Sequence, residues 1–150
     1  LPEKPNCVTC HTAHQQKKVT TELITPELCG SCHSFEQAER IKKALFVTDA
    51  RLITIEERMR KMKYLGFDVR DLEQSHFALR NVYHTLFHEL SLPVVQDVTI
   101  NISADLEKIE NTLKGYEYQE RNRRIFGYVL MVLFVLAAIS ARIYRKSLPA

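Results

Sequence analysis

Three scarcities in this 150-residue chain narrow its chemistry. It has only four glycines. No Gly-rich loop able to cradle a phosphate is present, and no nucleophile motif appears. Acidic residues are missing altogether from the last thirty positions, which carry six cations and no carboxylate. Long apolar runs are also scarce. The single one, Ile125 to Ala141 (IFGYVLMVLFVLAAISA), has no charge and one aliphatic hydroxyl, Ser140. Apolar residues make up 45% and charged residues 26% of the chain, an ordinary globular balance that excludes disorder throughout.

The net charge of +3 is a sum over unlike regions. Residues 1–66 carry +3, 67–120 carry −6 and 121–150 carry +6. All six cations of the last region flank the apolar run. Arg121, Arg123 and Arg124 precede it, and Arg142, Arg145 and Lys146 follow. With Ile143 and Tyr144 the run approaches the roughly 20 residues a helix needs to cross about 30 Å of hydrocarbon. Cations and the aromatics Tyr128 and Tyr144 at its edges suit headgroups, so a membrane-spanning helix is expected over 125–144. A buried core helix would not carry arginine clusters at both ends and no polar stripe. The basic residues are thereby accounted for by the bilayer, and nucleic-acid binding is not expected. Three cations on each side leave the orientation open. The chain begins Leu1-Pro2-Glu3, with neither methionine nor signal peptide, so a processed or truncated form is expected.

All four cysteines fall in two motifs, Cys7-Val8-Thr9-Cys10-His11 and Cys29-Gly30-Ser31-Cys32-His33. Each reads C-x-x-C-H, the attachment signal for c-type haem. Two thiols two residues apart can each add to a vinyl group of one porphyrin, and the adjacent imidazole supplies an axial nitrogen. Cys7, Cys10, Cys29 and Cys32 are therefore the expected thioether positions. His11 and His33 are the expected proximal iron ligands, and two covalently bound c-type haems are the expected cofactors. The same cysteines fit zinc-ribbon spacing, a disulfide framework or a thioredoxin-like pair. None of these explains a histidine after each pair, an outcome with odds of roughly 0.002 at this histidine content. Haem attachment occurs on the outer face of the energised membrane. The haem domain is thus expected in the periplasm or its equivalent, with the tail at 145–150 inside.

Six histidines leave four beyond the proximal pair. His14, His84 and His88 are candidate distal ligands. His84 and His88 are four apart, on one helical face. His76 sits at a core-like position, where packing is expected in preference to ligation. The histidine surplus favours bis-histidine iron over His/Met iron, and hence a lower potential. Met59 and Met62 read as core. Closed sixth positions point to electron transfer and away from an enzyme.

The expected fold is mainly α. A haem-packed segment (1–34) precedes an antiparallel helical hairpin (35–92). A long stalk helix (93–124) then leads into one transmembrane helix (125–144) and a cytoplasmic tail (145–150). The first hairpin helix has an apolar seam at Ala38, Ile41, Leu45, Thr48, Leu52, Ile55, Met59 and Met62, spaced alternately three and four apart. Gly66 ends it, with Lys61 and Lys63 in its last turn. Asp71 and Gln74 suggest a capping box for the second helix. Its seam runs through Leu72, His76, Leu79, Tyr83, Leu86 and Leu90, to about Leu92. A turn near residue 68 would set position 88 opposite position 48 and return His84 and His88 toward His33. For the stalk, Val95, Val98, Ile102, Leu106, Ile109, Leu113 and Tyr116 form a helical stripe. A strand over Val98–Ile102 is the runner-up.

The CVTCH and CGSCH pair, with the extra histidine of CHTAH, resembles the bacterial multihaem cytochrome c families. ALRNVYHTLFHEL, followed by a stalk and one C-terminal span, is similar to their membrane-anchored members in anaerobic bacteria. That resemblance implies a wire of haems passing electrons between the quinone pool or a membrane complex and soluble carriers. Other cytochrome or quinone-linked membrane subunits are then the expected partners, alongside soluble redox carriers and the lipid bilayer. This chain departs from many relatives in having two motifs where they have four or more. Two further roles stay open at this point: a structural anchor that recruits a redox complex, and a haem-based redox or ligand sensor. Outside the span the first 120 residues total −3. Haem propionates would make this region more acidic, favouring basic partner surfaces.

Overall fold

The computed structural model describes residues 20–30 and 34–147. Among them every regular element is helical. A 3₁₀ turn at Thr21–Leu23 leads to the one-turn α1 (Pro26–Cys29). α2 spans Phe35–Tyr64 and α3 spans Arg70–Thr85. A 3₁₀ turn at Leu86–His88 then precedes α4, Leu92–Ser147, a single helix of 56 residues. The mainly α expectation holds, and Val98–Ile102 is helical, not a strand.

The seams dictate how α2, α3 and the first half of α4 meet. In α2, Ile41, Leu45, Thr48, Leu52, Ile55, Met59 and Met62 are all buried. In α4, Val95, Ile102, Leu106, Ile109 and Leu113 are buried in the same core, with Val98 and Tyr116 packed against it. In and beyond α3, His76, Tyr83 and Leu86 complete it. The segment read as a stalk is thus also the third helix of a bundle. Two buried threonines bond back to their own helices, Thr48 to Ala44 O at 2.9 Å and Thr99 to Val95 O at 2.8 Å. No buried side-chain polar atom among the described residues lacks a hydrogen-bond partner.

Polar pairs fix the directions. Lys63 reaches Glu73 at 2.8 Å, Arg80 reaches Glu56 at 2.5 Å, and Tyr83 Oη donates to Leu45 O at 3.3 Å. Partners move apart in sequence as the contacts recede from the turn, so α2 and α3 are antiparallel. Arg51 pairs with Glu110 at 3.0 Å, and Arg58, one heptad on, pairs with Glu117 at 2.9 Å. α4 therefore runs parallel to α2.

Three sequence expectations are corrected. The chain reverses at Gly66, whose φ of +85° is the left-handed conformation that glycine adopts without strain. Reversal there, a little before residue 68, shifts the hairpin register. Position 88 lies among Ala38, Ile41 and Leu45 and not beside 48. The α3 helix ends at Thr85, and Leu90 lies outside the core at 72% exposure. Asp71 and Gln74 form no capping box. Val69 is the N-cap residue, and Asp68 instead accepts from the Arg70 backbone N–H at 3.2 Å.

The second half of α4 leaves the bundle. From Arg121 to Lys146 every residue is exposed. This helix is long and apolar enough to cross a membrane. The α2–α3 turn faces that half. Phe67 stacks on Tyr116 with centroids 5.0 Å apart, and Tyr116 Oη donates to Asp68 O at 3.2 Å. The opposite end of the bundle carries the N-terminal elements.

Candidate haem-binding end of the bundle

At that far end the chain from Thr20 to Gly30 folds over the start of α2. Lys42 Nζ donates to Ile24 O at 2.9 Å and pins the segment down. Thr25 caps α1, its hydroxyl accepting from Leu28 N at 3.3 Å, and Pro26 takes the first helical position. Hydrogen bonds from its own backbone N–H and from Thr25 hold the Glu27 carboxyl below the usual range. α1 ends on Cys29, the first thiol of CGSCH, which is half-buried. Gly30 follows, its N–H donating to Pro26 O at 2.8 Å. A Cβ at Gly30 would collide with that same carbonyl oxygen, so the residue beside the thiol is glycine for steric reasons.

Cys29 and His88 line one cavity of about 150 Å³. The rest of its wall is mainly apolar. Leu23, Ile24 and Leu28 come from the N-terminal segment, Ile41 and Leu45 from α2, and Leu86 and Phe87 from the 3₁₀ turn. Gln37 Nε2 donates to Leu90 O at 3.0 Å, joining α2 to the chain beyond His88. The early end of α3 is what brings His88 here. The tighter turn at Leu86–His88 aims Leu86 into the core and leaves His88 exposed at the rim of the cavity. Ligand pockets commonly measure about 300–1,000 Å³, so this cavity admits the edge of a large planar ring and not the whole of it.

The other histidines are placed differently. His76 is buried, and its Nε2 donates to Leu52 O at 2.9 Å. It packs, as its seam position implied. His84 is exposed on the last turn of α3, and its ring lies 6.4 Å from that of Phe87 in a stacked arrangement. Met59 and Met62 are core residues. Cys7, Cys10, His11, His14, Cys32 and His33 lie outside the described residues. Among the described residues, no group of three or more His, Cys, Asp or Glu side chains could hold a metal ion.

The doubled CXXCH motif family model matches residues 2–38. This is a c-type haem-binding signature, and it covers both motifs and the first residues of α2. No curated protein and no solved structure matches the chain. Covalent c-type haem binding, with the cytochrome-like electron-transfer role it carries, thus rests on the motif itself.

The described residues fit the group. A thiol of the motif, an imidazole from a distant part of the chain and an aliphatic and aromatic wall converge on one cavity. These are the sulfur, nitrogen and apolar contacts that a thioether-linked porphyrin requires. Sequence reasoning had named both Cys29 and His88 as candidates, and the structure places the two on one cavity. That reasoning missed the wall, although Ile41 and Leu45 are seam positions and Phe87 adjoins His88. Nothing in a one-dimensional pattern marks which seam residues stand at an open end.

Proposed function

We propose that the protein is a membrane-tethered dihaem c-type cytochrome that passes single electrons. It would serve a respiratory or other anaerobic chain as a subunit of a larger multihaem assembly, and it is not itself an enzyme. Cys7 and Cys10 would hold one haem with His11 as proximal ligand, and Cys29 and Cys32 the other with His33. The convergence of Cys29 and His88 on one apolar cavity carries the reading, because it pairs the second motif with an imidazole more than fifty residues away. His88 would then close the distal side at that motif. His84, exposed like His88 but not lining the cavity, would remain stacked beside Phe87. When bound, the group supplies a reversible one-electron change at iron. The chain's part is to exclude water with Ile41, Leu45, Leu86 and Phe87. It also fixes the ligand positions on α1 and the 3₁₀ turn, so that little rearranges between oxidation states.

The apolar half of α4 and its flanking cations support single-pass anchoring, and covalent haem attachment would put the haem end on the periplasmic face of the cytoplasmic membrane. Partners would be quinone-linked or cytochrome subunits in the membrane and soluble carriers presenting basic surfaces. Haem quantitation on denatured, purified protein is the test. Two covalent haems per chain, with low-spin spectra in both oxidation states, are expected. Bound zinc with no haem overturns the reading.

A further inference from the structure

The end of the bundle that carries the α2–α3 turn has a chemistry that haem binding does not use. Three contacts lock this turn against α4 just above the apolar run. Phe67 stacks on Tyr116, Tyr116 holds Asp68 O, and the Arg123 guanidinium sits 4.9 Å from the centroid of the Phe67 ring. Ile125 begins only four residues after Arg121, a rise of about 6 Å. The headgroup layer is itself roughly 5–7 Å deep on each side of the hydrocarbon. If α4 crosses the bilayer, the last turn of α2 therefore stands at the membrane surface.

That last turn is built for such a surface. Tyr64 is 91% exposed, more than any other large hydrophobic residue described. It protrudes beside Lys61 and Lys63, and Lys61 is close enough to Glu120 for its charge to help lower that carboxyl. On α4 the exposed Tyr118 carries Arg121 over its ring at 5.3 Å. Most carboxylates here are matched: Asp68 by Arg70 at 2.6 Å, Glu73 by Lys63 at 2.8 Å, and Glu120 by Arg124. Lys61, Arg121 and Arg123 are left as cations outside these pairs, against the carboxylates of Asp71 and, one turn above Lys61, Glu57. Exposed tyrosines among cations are the side chains enriched where protein meets headgroups.

We infer that the base of the bundle is a second lipid contact, in which Lys61 and Tyr64 of α2 join Arg121 and Arg123 of α4 to bind anionic phospholipid headgroups. The inference rests on the membrane reading of α4. It goes beyond it by making a helix outside the span a lipid-binding element. The cations attract lipid phosphates, and Tyr64 seats its ring at the interface. The bundle is thereby footed on two helices.

The test uses the full holoprotein in vesicles of equal parts phosphatidylcholine and phosphatidylglycerol. Flotation reports insertion, and native mass spectrometry of the released protein reports which lipids stay bound. Retention of phosphatidylglycerol over phosphatidylcholine is expected. Lys61→Gln should lower that preference about fivefold, the effect of one cation near an anionic surface. Lys61 lies off the membrane helix, so a collar confined to α4 predicts no change. An unchanged preference in Lys61→Gln protein that still floats overturns the footing and leaves the span intact. Protein that fails to float overturns the span and the footing together. Thermal melting of Lys61→Gln, expected to match the parent at this exposed position, separates lipid loss from unfolding.

Discussion

Arg51 on α2 donates its Nε–H to Glu110 on α4 at 3.0 Å, and the same guanidinium reaches Ser103 O at 3.2 Å. One heptad later Arg58 repeats the pairing with Glu117. Parallel helices whose contacts recur every seven residues are in coiled-coil register. These two pairs lock α2 to the helix whose far half is apolar enough to cross a membrane.

The Arg51–Glu110 pair is about three-quarters withdrawn from solvent, and hydrogen bonding to Arg51 holds the Glu110 carboxyl below its ordinary range. A carboxyl lowered in the folded state stabilises above its unfolded pKa of about 4.3, and that contribution fades as pH falls through the lowered folded value. Arg51→Met should thus destabilise the bundle at pH 7 by about 0.2–1 kcal/mol and flatten the acid limb of its stability curve. Thermal melts of parent and variant between pH 7 and pH 3 check this. Curves that stay parallel to the lowest pH would contradict the assignment.

His88 and His84 should separate spectroscopically. On the dihaem reading, His88→Ala is expected to convert one haem to a high-spin form that binds carbon monoxide when reduced. His84→Ala should leave both haems low-spin. The reverse pattern would transfer the ligand role to His84.

Leu45 is fully buried where the core meets the cavity wall. Leu45→Ala should cost about 2–5 kcal/mol, by lost transfer energy plus a void. It should also raise solvent access at the haem end, seen as faster haem bleaching by peroxide. A cost under 1 kcal/mol would mean that this end collapses or is already open.

Gly66→Ala tests the reversal. Alanine at a φ of +85° is strained by about 1–2 kcal/mol, although nothing crowds the added Cβ. The melting temperature should fall while the haem spectrum stays unchanged, because the turn lies at the other end of the bundle. A spectral change would couple the two ends.

The seams of α2 and α4 were legible because burial against a neighbour imposes a period that survives in one dimension. Ile41, Leu45 and Leu52, and likewise Val95, Ile102 and Leu106, follow it without a break. Gly66 was legible as the end of α2, but the register was not, since the reversal was centred near residue 68 and the chain turns at Gly66 itself. The stop at Thr85 was hidden for a related reason. Leu86 keeps the seam spacing while the backbone tightens beneath it, and only Leu90 betrays the change by facing outward. Of the candidate site, the CXXCH spacing announced itself through covalent chemistry. The hairpin already returned His84 and His88 toward the second motif, but which of the two reaches the cavity depends on where α3 ends, and the nearness of Lys61 to Glu120 depends on the packing of α2 against α4. No local pattern records either one.

α4 passes from the bundle into its apolar half without a kink-forming proline, since Pro93 sits in its first turn. From Leu92 to Ile125 the axis is about 50 Å long. A stiff rod of that length is a lever. A bilayer that tilts the helix by about 20° would swing the far end sideways by about 17 Å. Changes in membrane thickness would then set which neighbouring carriers that end can reach, without any hinge within α4.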